Sequence, residues 1–454
     1  MPNQSKRISI AVDIGGTFTD IVLADRSTNS FFVTKTSSTP DNPAVGFFEA
    51  VDSVLKLSNV RKEDIEIVFH GSTVATNAIL ENKGVKTALI TSRGFRYVLE
   101  IGRAEIPREA NLYGWIKPKR PVLPRDIFEI DERIRSDGSV AKHLDQMDLE
   151  AIGTNISKGG YEAVAICLMH SYLNDVHEQI VNHFLTKKFP GLEVSRSSVV
   201  LPVFREYERT MATVMNAMVQ PLVGKYIGQL EVGLKERKIQ APMLIMKSNG
   251  GVFPPTEAAH SGAHMALSGP AAGTIGAAYL GSLCEIKDMI TIDIGGTSAD
   301  ISLIRNGQAA VTTTTKINEL PLSLPVVDIH TIGAGGGSIA SISESGAILV
   351  GPKSAGAYPG PAAYGKGGLQ PTVTDANLVL GRLPPKLLDG QVELSTDAAQ
   401  HAIQEHIANP LGISVQAAAI GILAIVNETM NNALKLMTVE RGLNPKDFTL
   451  VAFG

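Results

Sequence analysis

Four aspartates stand at repeated positions around two Gly-Gly pairs, a pattern that could bind a phosphorylated ligand and its metal ion. Residues 13–20 and 293–300 both read Asp-Ile-Gly-Gly-Thr-x-x-Asp, so six of eight positions are identical. An apolar run follows each copy, which predicts a strand, a tight turn at the glycines and a returning strand. The copies begin 280 residues apart, far beyond the period of a repeat array. They indicate a duplicated domain, with one hairpin in each of two lobes facing a shared cleft.

The carboxylates of these hairpins are the candidates for metal binding and catalysis. Asp13 and Asp293 are expected at strand ends, immediately before the glycine pairs. Because Mg²⁺ keeps several waters and takes only one or two carboxylates, each aspartate could hold it directly or through a water. Asp20 and Asp300 lie seven positions further on, where they could orient a water or a substrate group. The alternative is that aspartate and glycine are only turn formers in two ordinary hairpins.

The turn residues between the strands could bind phosphate oxygens. Glycine lets backbone N–H groups approach an anion that a Cβ atom would obstruct, and a threonine hydroxyl can donate a further hydrogen bond. The candidates are Gly15, Gly16, Thr17, Gly295, Gly296 and Thr297.

Two further segments of small residues could contribute to phosphate binding. Ser268 and Gly269 open a segment that predicts a helix, with Ser268 as its N-cap and Pro270 in its first turn. A helix N-terminus favours anions, although tight packing of the helix would explain the same composition. Gly335 and Gly336 belong to a glycine-rich loop whose spacing does not match a dinucleotide-binding fingerprint.

A second divalent metal, zinc or manganese, is a separate hypothesis. Asp328 and His330 alternate on a short predicted strand, so both side chains would project from one face. His70 is expected at a strand end, and Asp375 follows a proline-rich segment. Two histidines with carboxylates suit a transition metal. The alternative is that these four residues form separate hydrogen bonds in loops.

Three arginines follow the strand predicted at residues 87–91 and could bind a carboxylate or a phosphate, or could equally lie on a solvated face. They are Arg93, Arg96 and Arg103. Arg205 and Arg209 are one turn apart at the start of a predicted helix, and we expect them to be structural or to line the cleft, with no preference between the two.

Composition excludes several classes of protein. The net charge is -4 and no basic block occurs, which argues against a general nucleic-acid or membrane-surface binder. Two cysteines are too few for a disulfide framework. The N-terminus lacks the apolar core of a signal peptide, and no run is long enough for a membrane-spanning helix, so we expect a cytoplasmic protein. The last residues read as a strand and the first glycine of a loop, so we expect the natural chain to continue.

Alternating strand and helix patterns predict an α/β fold. We expect an N-terminal lobe at residues 1–200, with an insertion near 103–137 that is rich in proline and charge. A second lobe is expected at residues 201–454.

The ordered series of motifs resembles the hydantoinase A/5-oxoprolinase family over essentially the whole chain. Besides the two hairpins, the likeness rests on His-Gly-Ser-Thr-Val-Ala-Thr-Asn at 70–77, Ser-Asn-Gly-Gly at 248–251, Ser-Gly-Pro-Ala-Ala-Gly at 268–273, Asp-Ile-His-Thr-Ile-Gly-Ala-Gly-Gly-Gly-Ser at 328–338 and Pro-Thr-Val-Thr-Asp-Ala at 371–376. The resemblance implies an actin-like fold, of the type shared by Hsp70, sugar kinases and ribonuclease H, with two lobes around a nucleotide cleft.

The same resemblance implies a reaction, cofactors and a partner. ATP with Mg²⁺ would phosphorylate the carbonyl oxygen of a cyclic amide such as a hydantoin or 5-oxoproline. Ring opening would follow in a hetero-oligomer with a subunit similar to hydantoinase B. The family also lends subunits to ATP-dependent acetone and acetophenone carboxylases, which is the first alternative. An Hsp70-like chaperone or reactivating ATPase and a sugar kinase are the others.

Overall fold

Strands and helices alternate along most of the chain. The computed structural model describes residues 8–16, 18–39, 41–103, 106, 113–317, 319–387 and 392–454. Thr17 and most of the segment 104–112 lie outside the described residues, so the hydroxyl predicted at the first turn and part of the predicted insertion are not characterised.

The first twelve strands are β1 (Ile8–Ile14), β2 (Phe18–Asp25), β3 (Ser30–Ser37), β4 (Ile65–Ser72), β5 (Thr87–Ser92), β6 (Ile127–Ile130), β7 (Arg133–Ile134), β8 (Val140–Lys142), β9 (Ala163–Cys167), β10 (Glu193–Arg196), β11 (Met243–Met246) and β12 (Val252–Phe253). The later strands are β13 (Met289–Ile294), β14 (Ala299–Arg305), β15 (Gln308–Ala309), β16 (Val311–Thr312), β17 (Thr315–Ile317), β18 (Leu320–Leu322), β19 (Val326–Val327), β20 (Ile329–Ile332), β21 (Ser338–Ile342), β22 (Ile348–Ser354), β23 (Lys386–Leu387), β24 (Val392–Glu393) and β25 (Thr449–Phe453).

The helices are α1 (Pro43–Ser58), α2 (Val74–Leu80), α3 (Val98–Ile101), α4 (Gln146–Gly159), α5 (Val176–Lys188), α6 (Ser197–Val200), α7 (Glu206–Glu236), α8 (Pro255–His260), α9 (Ser268–Leu283), α10 (Val373–Val379), α11 (Thr396–Ile403), α12 (Asn409–Leu411) and α13 (Val415–Met437).

Two compact units divide the chain. The first contains Met1–Gly15, Thr19–Gly269 and Val311–Val326, and the second contains Gly16–Phe18, Pro270–Ala310 and Val327–Gly454. This division follows compactness alone, so the lobes expected at 1–200 and 201–454 stay a prediction.

A mixed six-stranded sheet forms the centre of the first unit. Its order is β12-β11-β4-β1-β2-β3, with β1 antiparallel to β2 and parallel to β4. Alternate residues of β1, such as Ile10 and Val12, are buried in the main core of this unit. Helix α7 packs into the same core and continues through Pro221. Burial along much of this helix outweighs the hydrogen bond that proline removes.

A second sheet in the first unit has only parallel neighbours. Its order is β10-β9-β5-β6, and all three pairings are parallel. Every residue of the central strands β5 and β9 is buried, as expected where both faces of a parallel sheet are covered.

The second unit repeats the hairpin arrangement of the first. Strand β13 is antiparallel to β14 and parallel to β25, just as β1 is antiparallel to β2 and parallel to β4. Ser302 on β14 hydrogen-bonds Thr274 of α9 at 2.8 Å, which joins that helix to the hairpin. Helix α13 buries an apolar stripe that includes Ile422, Val426 and Met430. The duplication inferred from the sequence is therefore visible in strand pairing.

The mixed sheets and helices confirm the predicted α/β class, while the actin-like assignment remains an implication of the resemblance. No single helix among the described residues is long and apolar enough to cross a membrane. One pair of helical segments, Thr396–Leu411 and Val415–Arg441, is together long and apolar enough, but the two are bent by 91° relative to each other.

Candidate functional site

Both predicted hairpins form, and the four aspartates take equivalent positions in them. Asp13 lies opposite Asp20 across β1 and β2, and Asp293 lies opposite Asp300 across β13 and β14. Residues directly opposite each other in an antiparallel pair project to the same face of the sheet. Each hairpin therefore presents two carboxylates side by side.

The Asp13 carboxylate lies in a gap between two glycines. Its Oδ1 atom is buried and has no hydrogen-bond partner among the described residues. A Cβ atom on Gly71, in β4, would lie 2.9 Å from this oxygen, and one on Gly269 would lie 3.5 Å from it. Glycine at these positions therefore leaves room beside an oxygen that none of the described residues donates to, which is the condition expected where a ligand or its waters bind.

Burial and a neighbouring charge change the acidity of this group. Burial, with a smaller contribution from the Asp20 carboxylate, raises the pKa of Asp13 to about 6. Asp20 is instead paired with Lys35 at 3.1 Å and is more exposed. The two carboxylates of the first hairpin thus differ. Asp13 has an oxygen without a donor among the described residues, whereas Asp20 is paired with Lys35, a residue that the sequence analysis did not single out.

Hydroxyl side chains hold the turn of the first hairpin. Ser38 donates to the Gly15 carbonyl at 2.8 Å, and Thr73 donates to the Ile14 carbonyl at 3.1 Å. Gly16 is exposed at this turn. Thr73 directly follows β4 and belongs to the 70–77 motif of the family resemblance, whereas no local pattern indicated Ser38.

The start of α9 lies beside the Asp13 carboxylate, since a Cβ atom on Gly269 would lie 3.5 Å from Asp13 Oδ1. Ser268 is the first residue of the helix rather than its N-cap, and its hydroxyl donates to the Ser72 carbonyl at 3.1 Å. The preceding residue, Leu267, has a φ of 67°, and its N–H donates to Thr76 Oγ1 at 2.9 Å. The prediction of a cap was wrong because β4 takes the serine hydroxyl.

The second hairpin has its own arrangement around the carboxylates. A Cβ atom on Gly454, directly after β25, would lie 2.6 Å from Asp293 Oδ1. Thr331 on β20 donates to Asp300, and burial raises the pKa of Asp300. In both hairpins, a glycine at the end of the neighbouring parallel strand or directly after it thus lies beside the first aspartate.

The glycine-rich loop packs directly on the second turn. Gly336 N–H donates to the Gly295 carbonyl at 3.0 Å, and Gly337 N–H donates to the Gly296 carbonyl at 2.6 Å. A Cβ atom on Gly335 would lie 2.7 Å from the backbone of Thr297. The predicted binding residues Gly335 and Gly336 therefore serve to fix this turn, whose residues Gly295, Gly296 and Thr297 are exposed.

The structure does not assemble the predicted second metal site. The described residues contain no group of three or more His, Cys, Asp and Glu side chains able to hold a metal ion. His70 is buried with Nδ1 3.1 Å from the Val12 carbonyl and Nε2 2.7 Å from the Tyr226 hydroxyl. Burial lowers the pKa of His70 to about 4, so this ring is neutral and both nitrogens are occupied.

The other three members of that hypothesis also have identified surroundings. Asp328 pairs with Arg441, and His330 lies in β20 opposite Ile301 of β14. Asp375 closes a capping box with Thr372 at the start of α10. Its carboxylate also accepts from the Ala363 N–H at 2.7 Å. Asp375 is therefore a structural residue, and the alternative of separate hydrogen-bonded residues holds for it, His70 and Asp328.

A residue next to Asp375 connects α10 to the glycine-rich loop. Thr374 donates through both its N–H and its hydroxyl to the Gly336 carbonyl, at 2.8 and 2.9 Å. Ser338 accepts from the Gly335 N–H at 2.9 Å. These two positions complete the support of the second turn. Both stand in motifs of the family resemblance, but the sequence analysis gave neither a role because neither carries a charge.

Comparison with known proteins was made for the whole chain. Residues 209–454 match the family model described as hydantoinase/oxoprolinase, and residues 9–189 match its N-terminal region. The alpha subunit of caprolactamase from Pseudomonas jessenii is 37% identical over 461 residues, which cover 100% of this chain and 66% of the relative.

Two solved structures are similar over nearly all of this chain. The ATP-dependent caprolactamase from Pseudomonas jessenii gives a TM-score of 0.83 at 35% identity, covering 98% of this chain and 65% of that one. Nucleotide-free acetone carboxylase gives a TM-score of 0.85 at 28% identity, with coverage of 98% and 65%. The chain spans about two thirds of the length of these relatives.

Proposed function

The chain belongs to the hydantoinase/oxoprolinase family, and we propose that it is the ATP-binding part of an ATP-dependent cyclic amide hydrolase. In this proposal the carbonyl oxygen of a lactam or imide is phosphorylated, and the ring is then opened together with a partner similar to hydantoinase B. A solved relative described as an ATP-dependent caprolactamase supports this class of substrate. Phosphorylation makes a poor electrophile reactive, and the protein contributes positioning and charge neutralisation.

The Asp13 carboxylate is the observation that carries the proposal. Its buried Oδ1 has no donor within the described ranges of the chain, and the adjacent glycines keep Cβ atoms away from it. ATP and Mg²⁺ fit these residues, since an unpaired carboxylate can accept from metal-bound waters and the nearby backbone is open to an anion. When bound, Mg²⁺-ATP supplies the phosphoryl group and the charge that favours the ionised form of Asp13.

Separate roles follow for the remaining residues of the hairpins. Asp293 is the proposed second carboxylate for Mg²⁺, directly or through water. The N–H groups of both turns and of the first turn of α9 would donate to phosphate oxygens. Asp20 and Asp300 would orient the water or substrate group, with Thr331 fixing the Asp300 side chain.

A ketone carboxylase is the second candidate, and the similarity to acetone carboxylase at a TM-score of 0.85 favours it. The two reactions share one requirement, because an enolate oxygen, like an amide oxygen, can be activated by a phosphoryl group. The residues of the hairpins do not distinguish these substrates, since they act on the phosphate side of the reaction.

The deciding experiment measures products together with ADP. The full-length protein with its co-purifying partner is incubated with Mg²⁺-ATP and either 5-oxoproline, hydantoin, caprolactam, or acetone or acetophenone with bicarbonate. ADP matched by a ring-opened product supports the hydrolase, and ADP matched by a bicarbonate-derived keto acid supports the carboxylase. Failure of every substrate to stimulate ADP release, or full turnover by Asp13→Asn, would contradict the proposal.

A further inference from the structure

A cavity of about 630 Å³ opens in the first unit, next to its parallel sheet. Part of its wall comes from residues that follow β5, namely Gly94, Phe95 and Tyr97, and part from Met169, His170 and Tyr172, which follow β9. The start of α7 completes it. The cavity therefore lies at the carboxyl ends of β5 and β9, and its volume is within the range of pockets that hold small organic molecules.

The topology of the sheet makes this position significant. In the order β10-β9-β5-β6, the chain passes from β5 to β6 on one side and later resumes at β9 on the other side of β5. The connections on either side of the β5–β9 pair therefore lead in opposite directions. In open parallel sheets, such a reversal leaves a crevice at the strand ends, and ligands bind there.

Aromatic side chains dominate the wall of the cavity. Tyr97 and Phe204 are 55% and 63% exposed, which is high for large aromatic groups. Phe95, Tyr172 and Tyr207 line the same space. Several aromatic faces around one cavity favour a flat, apolar ligand body.

Arg205 lines the cavity and is exposed, so its positive charge is accessible to a ligand. The guanidinium of Arg205 packs on the Phe204 ring at 5.4 Å and has no hydrogen-bond or ion-pair partner among the described residues. Arg205 also has a φ of 83° and a ψ of 97°, a conformation that costs free energy for a residue with a Cβ atom. Arg103 lines the cavity too, but Glu208 binds it at 2.7 and 2.6 Å, so its charge is already satisfied.

A second arginine lies behind the wall of the cavity and does not line it. Arg209 is fully buried, and its Nη1 atom donates to the Leu168 carbonyl at 2.9 Å and to the Ser197 hydroxyl at 2.8 Å. Glu206, which lines the cavity, forms an ion pair with Arg209 Nη2 at 3.6 Å. Arg209 therefore has its own partners, and Arg205 is the cation that a ligand in the cavity can reach.

We propose that this cavity binds a small aromatic carboxylate, with the carboxylate toward Arg205 and the ring against the tyrosine and phenylalanine side chains. The N-terminus of α7, a 31-residue helix, adds favourable charge for the anion. The site is distinct from the first hairpin. The cavity lies at the start of α7, at Glu206, whereas Tyr226, whose hydroxyl contacts His70, is 20 residues further along the helix, which corresponds to roughly 30 Å.

The test measures binding directly and does not depend on ATP turnover. Isothermal titration calorimetry of the full-length protein with benzoate should show one site per chain, and benzamide, the neutral analogue, should bind at least about tenfold more weakly. Arg205→Gln should weaken benzoate binding by about tenfold or more. Arg125→Met, at an exposed arginine outside the cavity, is the matched control and should leave benzoate binding unchanged.

A second variant separates a binding role from a structural one. Arg205→Gly removes the same charge and also relieves the left-handed conformation, so it should lose benzoate binding while its unfolding temperature rises. The proposal is overturned if the wild-type protein does not bind benzoate at about 10 mM, if benzamide binds equally well, or if both Arg205 variants retain full affinity.

Discussion

Replacing Asp13 by asparagine should stabilise the ligand-free protein near neutral pH while it abolishes ATP-dependent activity. The carboxylate has a buried oxygen with no donor in the part of the chain that the structure describes, and its charge is disfavoured by burial and by Asp20. Asparagine has nearly the same shape without the charge. The expected gain in stability is therefore the free energy that the folded protein loses when this group ionises.

The magnitude follows from the pKa. A rise from 3.8 to about 6 is roughly two units, which corresponds to about 3 kcal/mol. Because the Asp13 side chain retains some contact with solvent, we expect a gain of about 1 to 3 kcal/mol.

The sign of the pH dependence is fixed by the direction of the shift. Between pH 3.8 and about 6 the folded state holds the proton more tightly than the unfolded state. The wild-type protein thus loses stability as the pH rises through this window, and the loss is complete above it. The advantage of Asp13→Asn should be absent below the window and full above it.

Urea unfolding at about pH 4 and about pH 8 measures this difference. Asp20→Asn is the matched control. It removes the smaller cause of the shift, and its exposed pair with Lys35 contributes little, so it should give a smaller gain. An Asp13→Asn protein that is no more stable than wild type at the higher pH would refute the account of this carboxylate.

Three further predictions concern packing around the two hairpins. Gly71→Ala should lower stability by about 1 to 3 kcal/mol, because its Cβ would lie 2.9 Å from the first hairpin's carboxylate, whereas Gly269→Ala makes an ordinary 3.5 Å contact and should be tolerated in urea unfolding. Gly335→Ala should destabilise the protein by about 3 kcal/mol or more, since its Cβ would meet backbone atoms at 2.7 Å. The control Gly228→Ala faces open space in a helix and should stabilise by about 0.5 to 1 kcal/mol. Equal urea midpoints of the two variants would contradict this prediction. Asp375→Ala should lower the free energy of unfolding by about 2 to 4 kcal/mol, because it leaves buried N–H donors unpaired. Added zinc should not alter the unfolding temperature of the wild-type protein. If zinc stabilises the wild-type protein but not this variant, the metal hypothesis is restored.

The hairpins were predictable because their signal is local. Asp, Gly-Gly and a following apolar run lie within a few residues of each other, and the twofold period of strands then sets Asp13 opposite Asp20. The α/β class was likewise predictable from alternating patterns. Duplication of the motif added weight that a single copy would lack.

The errors arose where a side chain's role depends on distant partners. His70 resembles a metal ligand in sequence, but its ring nitrogens are occupied by groups 58 and 156 residues away. Asp375 was a candidate metal ligand after a proline-rich segment, and two backbone N–H groups of the segment before α10 bind it. Ligand contact by Gly335 and Gly336 stays a prediction, and the structure adds that both pack against the second turn.

The two turns are supported by different kinds of bond, which has a consequence for how each could vary among related proteins. Backbone N–H groups of Gly336 and Gly337 bind the second turn, and substitution there is limited by volume, because a Cβ atom on Gly335 or Gly337 would meet backbone atoms of that turn. Hydroxyl groups of Ser38 and Thr73 bind carbonyl groups of the first turn, so substitution at these positions is limited by the need for a hydroxyl donor. Serine and threonine should interchange at these two positions, while alanine, although smaller, should loosen the first turn.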